Sequence, residues 1–164
     1  MTVYQHYESP LGLLLLTADE VGLTGLRFTG KSNVNTQGDD PVLAETAHWL
    51  DLYFSGREPD FTPPLHPVGT PFRQAVWHLL AGIPYGQTVT YGELAEQVAA
   101  QLGCRRMSAQ AIGGAVGHNP ISILLPCHRV VGANRRLTGY AGGLDKKIFL
   151  LSLEGVDVSR FTVF

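Results

Sequence analysis

The stretch Thr90-Tyr91-Gly92-Glu93-Leu94-Ala95-Glu96-Gln97-Val98-Ala99-Ala100-Gln101-Leu102-Gly103 decides the fold of the second half of this chain. Thr90 and Glu93 form a capping box at its start, and Gly103 is a stop signal at its end. Leu94, Ala95, Val98, Ala99 and Leu102 recur at helical spacing, so the segment reads as a helix with one buried face. After Cys104-Arg105-Arg106-Met107, Ser108 caps a further helix that runs through Gln110, Ile112, Ala115 and Val116 to a close at His118-Asn119-Pro120. Two helices joined by a short turn and followed by short extended pieces outline a helix-turn-helix with a wing.

Upstream, Thr70-Pro71 is a cap followed by proline at the first helical position. Phe72, Ala75, Val76, Leu79, Leu80 and Ile83 then line one helical face. Residues 57–69 hold Pro59, Pro63, Pro64 and Pro67 and read as a linker. Before it, residues 3–28 alternate short apolar runs with turn residues, the pattern of an antiparallel meander. Residues 31–40 read as a loop, and residues 41–54 as a helix with Pro41 at its start and Gly56 beyond its end. The chain therefore divides into residues 1–56, the linker 57–69 and a second domain over 70–164.

Charge follows the same division. Up to Gly69 there are three basic and nine acidic residues, net −6; from Thr70 onward there are nine basic and five acidic, net +4. A basic half beside an acidic one points to a polyanionic partner for the second domain, against the alternative of an ordinary solvated surface. The longest apolar run near the start, Leu13 to Leu16, is too short to span a bilayer, and no basic region precedes a signal core, so a cytoplasmic protein is expected. Cys104 and Cys127 are too far apart for a CxxC pattern. The six histidines show no metal-binding spacing, so neither a metal nor a cofactor is expected.

Downstream, the apolar run Ile121-Ser122-Ile123-Leu124-Leu125 reads as a short buried strand that delivers Pro126-Cys127-His128-Arg129-Val130 to a loop. A cysteine is usually one more small buried hydrophobe, but a histidine and an arginine directly after it favour a reactive thiol. Residues 146–153 read as a last helix with Ile148, Phe149, Leu150 and Leu151 as core. Glu154 at its C-terminal end opposes the helix dipole, which suggests a partner such as His128. The helix after Ser108 has a flank of Ala111, Gly113, Gly114, Ala115 and Gly117. Since glycine weakens a helix, this flank implies either close packing against residues 121–125 or close approach to a ligand backbone.

On these residues the chain resembles the O6-alkylguanine-DNA alkyltransferases, also called methylated-DNA-protein-cysteine methyltransferases. The resemblance rests on Pro126 to Val130, Asn119-Pro120, Gly139-Tyr140-Ala141-Gly142-Gly143, Leu150-Leu151-Ser152-Leu153-Glu154-Gly155, and Ile83-Pro84-Tyr85-Gly86 with Tyr91. It spans residues 70–156 and fits the first domain more loosely. It implies an α+β protein: a small N-terminal ribonuclease-H-like α/β domain plus a C-terminal winged helix-turn-helix-like domain. It further implies a monomer that repairs double-stranded DNA from the minor groove, moving the alkyl group of O6-alkylguanine irreversibly onto its own cysteine after base flipping.

By that resemblance Cys127 is the nucleophile, and His128, oriented by Glu154, takes the thiol proton through a water. Asn119 buttresses the loop, and Tyr91 rotates the nucleotide and donates to the base. Tyr140 shapes the pocket, while backbone around Cys127, Val130 and Ala141 reads the guanine edge. Gln110, Ala111, Gly113 and Gly114 face DNA, with Ala133 and Arg135 in the basic turn after the cysteine loop. Gln110 stands where many members carry a gap-filling arginine. The segment before it is longer than the common pattern by roughly five residues, and this extension holds Arg105 and Arg106, expected at phosphates. Two other classes fit fewer residues: a module that binds alkylguanine without repairing it, which would lack the cysteine, and a Cys-His-Glu thiol hydrolase with turnover.

Overall fold

The computed structural model describes residues 2–30 and 39–163. Most of the loop expected over residues 31–40 lies outside them. The chain forms two compact bodies, residues 1–68 with 120–124, and residues 69–119 with 125–164.

In the first body, β1 (Val3–Ser9), β2 (Gly12–Ala18) and β3 (Leu23–Phe28) make the expected antiparallel meander in the order β1-β2-β3. The central strand carries Leu14, Leu15 and Leu16, all buried, as a run covered on both faces requires. Helix α1 (Pro41–Phe54) packs on this sheet through Leu43, Thr46, Trp49, Leu50 and Tyr53. Asp40 caps it by accepting from the backbone of Val42 and Leu43.

The proline-rich residues expected as a linker instead belong to this body up to Val68. Leu23 N donates to Pro64 O and His66 N to Leu23 O, each at 2.7 Å, so the segment runs along β3 as an added edge. Proline content marks where a chain cannot enter a central strand, and it leaves an edge position open.

The expected strand over residues 121–125 is also corrected. Only Ile121 bridges, to Leu26. Leu124 N donates to Ser122 O across Ile123, whose φ of 73° is the strained hand of a γ-turn for a β-branched residue. The apolar run signals burial, which it has, but β-branched composition does not secure a ladder partner.

In the second body, α2 (Pro71–Ala81), β4 (Val89–Thr90), α3 (Tyr91–Leu102) and α4 (Ala109–Gly117) follow in order. Thr70, Thr90 and Ser108 cap the three helices as expected, and Gly103 ends α3 with φ 70°. The three helices pack on one another. Trp77, off the apolar line read from the sequence, is nearly fully buried, and its indole Nε1 donates to Ala115 O at 2.9 Å, holding α4 from behind. Leu102, expected in the core, is instead exposed; it is the last residue of α3, directly before the Gly103 stop.

Strand β5 (Val130–Val131) pairs in parallel with β4. The chain then reverses, with Gly132 N donating to Arg136 O at 2.7 Å and both Asn134 and Arg135 at φ 58°. Strand β6 (Arg136–Leu137) pairs in parallel with β7 (Thr162–Val163), and α5 (Leu144–Leu153) packs on the cysteine turn. Helix α5 begins two residues before the expected start at Lys146, and Phe149, expected in the core, is 37% exposed. The stripe that α5 buries is Lys147, Leu150 and Leu151, continued by Glu154 just past its end, at i, i+3, i+4 and i+7.

Candidate active site

Cys127 opens a turn of 3₁₀ helix, Cys127–Arg129. Its own N–H donates to Leu125 O at 2.7 Å across Pro126, whose φ of −79° and ψ of 66° make an inverse γ-turn. Proline presets the φ such a turn needs, which is why the residue before the cysteine is rigid. The Asn119 Nδ2 donates to the same Leu125 carbonyl at 2.7 Å, tying the end of α4 to the cysteine turn.

The cysteine is buried, and burial pushes its thiol up from the ordinary value; the Asn119 side chain and the Lys147 charge pull the other way. His128, fully buried, places Nε2 2.6 Å from Glu154 Oε2, while its Nδ1 has no hydrogen-bond partner among the described residues. Burial holds this imidazole below its usual range, against the pull of Glu154, and Arg129 and Lys147 lower it further. Burial thus disfavours the charged ring, and a neutral ring that donates to the carboxylate from Nε2 keeps a lone pair on Nδ1.

Glu154 explains its place at a helix C-terminus through its partners. It accepts from His128, from Arg129 Nε at 2.8 Å and Nη2 at 3.0 Å, and from Gly86 N at 2.9 Å. Burial alone would push the carboxyl up, but the hydrogen bonds from His128 and Arg129 and the guanidinium charge outweigh it and hold the group at about 2. Gly86 is needed there: its φ is 76°, and a Cβ on it would stand 3.1 Å from Glu154 O. Arg129 is the buried partner of Glu154, and its Nη1 also donates to Ile83 O at 2.7 Å.

Lys147 is a member of the site that the sequence reading does not include. It is fully buried, and its Nζ donates to Val130 O at 2.7 Å and Thr138 O at 3.1 Å. Burial lowers the ammonium to about 8, against the opposing influence of Cys127. A signal for it is present in the sequence: Lys147 lies on the same helical stripe as Leu150, Leu151 and Glu154. Val130 O, expected to read the guanine edge, thus already accepts from Lys147 and keeps one lone pair.

Tyr91, at the start of α3, is half-buried and accepts from Thr138 Oγ1 at 3.4 Å, which leaves its own O–H to donate. Burial raises it, the Thr138 hydrogen bond lowers it, and Cys127 raises it, so it stays a phenol. Tyr140 meets His128 edge to face at 6.4 Å between centroids. Cys127, His128, Glu154, Asn119, Tyr91, Val130 and Tyr140 are thus brought into one neighbourhood, and Ala141 lies on an exposed turn beside Tyr140.

The other expected residues lie outside it. Arg105, Arg106, Gln110, Ala133 and Arg135 are exposed, and Ala111 is half-buried. On α4, a Cβ built at Gly113, Gly114 or Gly117 meets nothing within 4 Å. Close packing therefore does not account for these glycines, and the flank is a bare surface. Among the described residues no group of three His, Cys, Asp or Glu side chains could hold a metal, and no helix is long and apolar enough to cross a membrane.

A buried thiol beside an imidazole held by a carboxylate, next to a capped three-helix unit, is a candidate thiol-based centre on a helix-turn-helix scaffold. Family models agree: residues 71–156 match the DNA-binding domain of 6-O-methylguanine DNA methyltransferase and residues 2–67 its ribonuclease-like domain. The chain belongs to that family. It is 43% identical over 157 residues to a methylated-DNA–protein-cysteine methyltransferase of Methanosarcina acetivorans, covering 93% of this chain and 97% of that one. It is 42% identical to the protein of the same name from Haemophilus influenzae, covering 93% and 86%. The Mycobacterium tuberculosis OGT solved in complex with DNA superposes with a TM-score of 0.80 at 42% identity, covering 96% of this chain and 94% of that one.

Proposed function

We propose that this protein repairs DNA by moving the alkyl group of O6-alkylguanine onto Cys127, once per molecule. The observation that carries the reading is the buried His128, locked by Glu154 through Nε2 and without a partner at Nδ1 among the described residues, directly after a buried thiol. Adjacent side chains seldom face each other, so a water relays the proton from Sγ to Nδ1. The thiolate then attacks the alkyl carbon in line, and the C–O6 bond breaks with its electron pair going to guanine, which takes up a proton. One alkyl group moves to sulfur and one proton to the base, with no regeneration step. The Tyr91 hydroxyl donates toward the departing base, and Tyr140 and the backbone at Val130 and Ala141 border it.

A thiol cannot reach O6 inside a stacked duplex, so the nucleotide must be turned out. The bare flank of α4 suits approach to the minor groove, a mode that reads little sequence and fits a lesion scanner. Gln110 would fill the space left by the base, Arg105 and Arg106 would meet phosphates on one side of α4, and the turn with Ala133 and Arg135 would do so on the other.

Incubation with a duplex carrying radiolabelled O6-methylguanine tests the reading. Stoichiometric label on the Cys127 peptide is expected. Label that stays on DNA would indicate a binding module, and repeated turnover a thiol hydrolase.

A further inference from the structure

A carboxylate beside a histidine ordinarily draws a proton onto the ring, and an imidazolium has two N–H donors and no lone pair. Such a ring could not accept the thiol proton. In this site the same carboxylate is already engaged by a guanidinium through two parallel donors, Nε at 2.8 Å and Nη2 at 3.0 Å. The guanidinium is fixed from its other side: Nη1 donates to Ile83 O at 2.7 Å, and its carbon lies 5.7 Å from the centre of the Tyr85 ring. Gly86, in the same turn, adds its N–H to Glu154 Oε1.

We infer that Arg129 is the charge-setting residue of the relay: by neutralising Glu154 it keeps His128 an uncharged imidazole that donates from Nε2 and accepts at Nδ1. Residues 83–86 hold the guanidinium in register, so the turn is a positioning element that acts on His128 through Arg129 and Glu154. The charges facing His128 are Glu154 and Lys147 from the end and the body of α5, Arg129 from its own turn and, once ionised, Cys127; Tyr140 faces it as a neutral ring. With Cys127 a thiol and His128 neutral, the cations Arg129 and Lys147 face the one carboxylate of Glu154, and moving the thiol proton to Nδ1 creates one charge of each sign without changing the net charge. An imidazolium already present beside the thiol would add a third cation against that carboxylate, and loss of Arg129 would make such an imidazolium the direct counter-charge of Glu154.

The inference rests on alkyl transfer to Cys127, and the experiment separates the two. Wild-type protein is first shown by mass spectrometry to gain one methyl on the Cys127 peptide from an O6-methylguanine duplex; without that gain the functional reading itself fails. Single-turnover transfer is then followed against pH for wild type, Arg129→Gln, Arg129→Lys and the double variant Arg129→Gln/Glu154→Gln. For Arg129→Gln the acid limb is expected to move up on the order of one to three pH units, the usual effect of an opposite charge left uncompensated beside a titrating group. Arg129→Lys, which keeps the charge, should restore most of the profile, and the double variant should bring the limb back down because no carboxylate remains to draw the proton.

A profile for Arg129→Gln that coincides with wild type at a lower rate throughout would make Arg129 merely structural and overturn the inference. Should Arg129→Gln fail to fold, nitrogen-15 shifts of His128 in wild type decide: a neutral ring protonated at Nε2 at pH 7 is expected, and an imidazolium at that pH overturns the inference.

Discussion

The cysteine turn and the exposed flank of α4 use opposite means to prepare one reaction. Around Cys127 nearly every polar atom is buried and engaged, and the chemistry is set by which charges face which: Glu154 takes four donor contacts, and Lys147 spans two carbonyls. Along Gly113, Gly114 and Gly117 the surface is shaped by what is missing, since added Cβ atoms would meet open space. The first region tolerates little because an unpaired buried charge is costly. The second has room for side chains within the protein itself.

Cys127→Ser is the largest expected effect: no methyl transfer by mass spectrometry, with duplex binding retained in a mobility-shift assay. Loss of binding as well would make the cysteine structural. Glu154→Gln comes next. Breaking a buried ion pair costs about 3–5 kcal/mol, which should appear as a marked fall in Tm. The wild-type carboxyl lies at about 2 when folded, against an unfolded value of 4.5, so its stabilisation is present above pH 4.5 and is lost as pH falls toward 2. His128, also lowered on folding, adds to acid unfolding from the same side, its contribution being lost as pH falls through its folded value. Acid titration of the Glu154→Gln variant by circular dichroism should lack the carboxylate's part of that limb.

Lys147→Met should leave the fold intact, since a buried thioether of similar length replaces a desolvated ammonium. The thiol pKa, read from thiolate absorbance, should rise by about one unit, with transfer roughly tenfold slower at neutral pH. An unchanged thiol pKa would confine Lys147 to tethering Val130 and Thr138. The smallest effect on the protein itself belongs to α4. Gly114→Leu should stabilise the helix by about 0.5–1 kcal/mol yet weaken duplex binding about tenfold, equivalent to about 1.4 kcal/mol. Unchanged binding would show that the bare flank is not the DNA-facing surface.

Helix caps and stops are legible because they depend on residues a few positions apart: Thr70, Thr90, Ser108 and Gly103 all act where the sequence places them. The meander of β1 to β3 is legible for the same reason. Ile121 to Leu125 misleads because burial and strand formation share an apolar signal, and only the available ladder partners separate them. The edge formed by residues 64–66 is hidden because proline reports what a backbone cannot do. In the site, Cys127, His128 and Glu154 stand out as local rule-breakers, whereas Lys147 and Trp77 look like ordinary members of an exposed or apolar face.

By itself the sequence determined the helices and most of their ends, the candidate thiol and the family to which the chain belongs. These follow from propensity, spacing and residue chemistry, which act over a few residues. Tertiary structure alone decided that Arg129 faces Glu154, that Lys147 is buried beneath Val130 and Thr138, and that the glycines of α4 face open space. Each of these depends on which distant segments share a low-dielectric interior, where a charge is either partnered or costly.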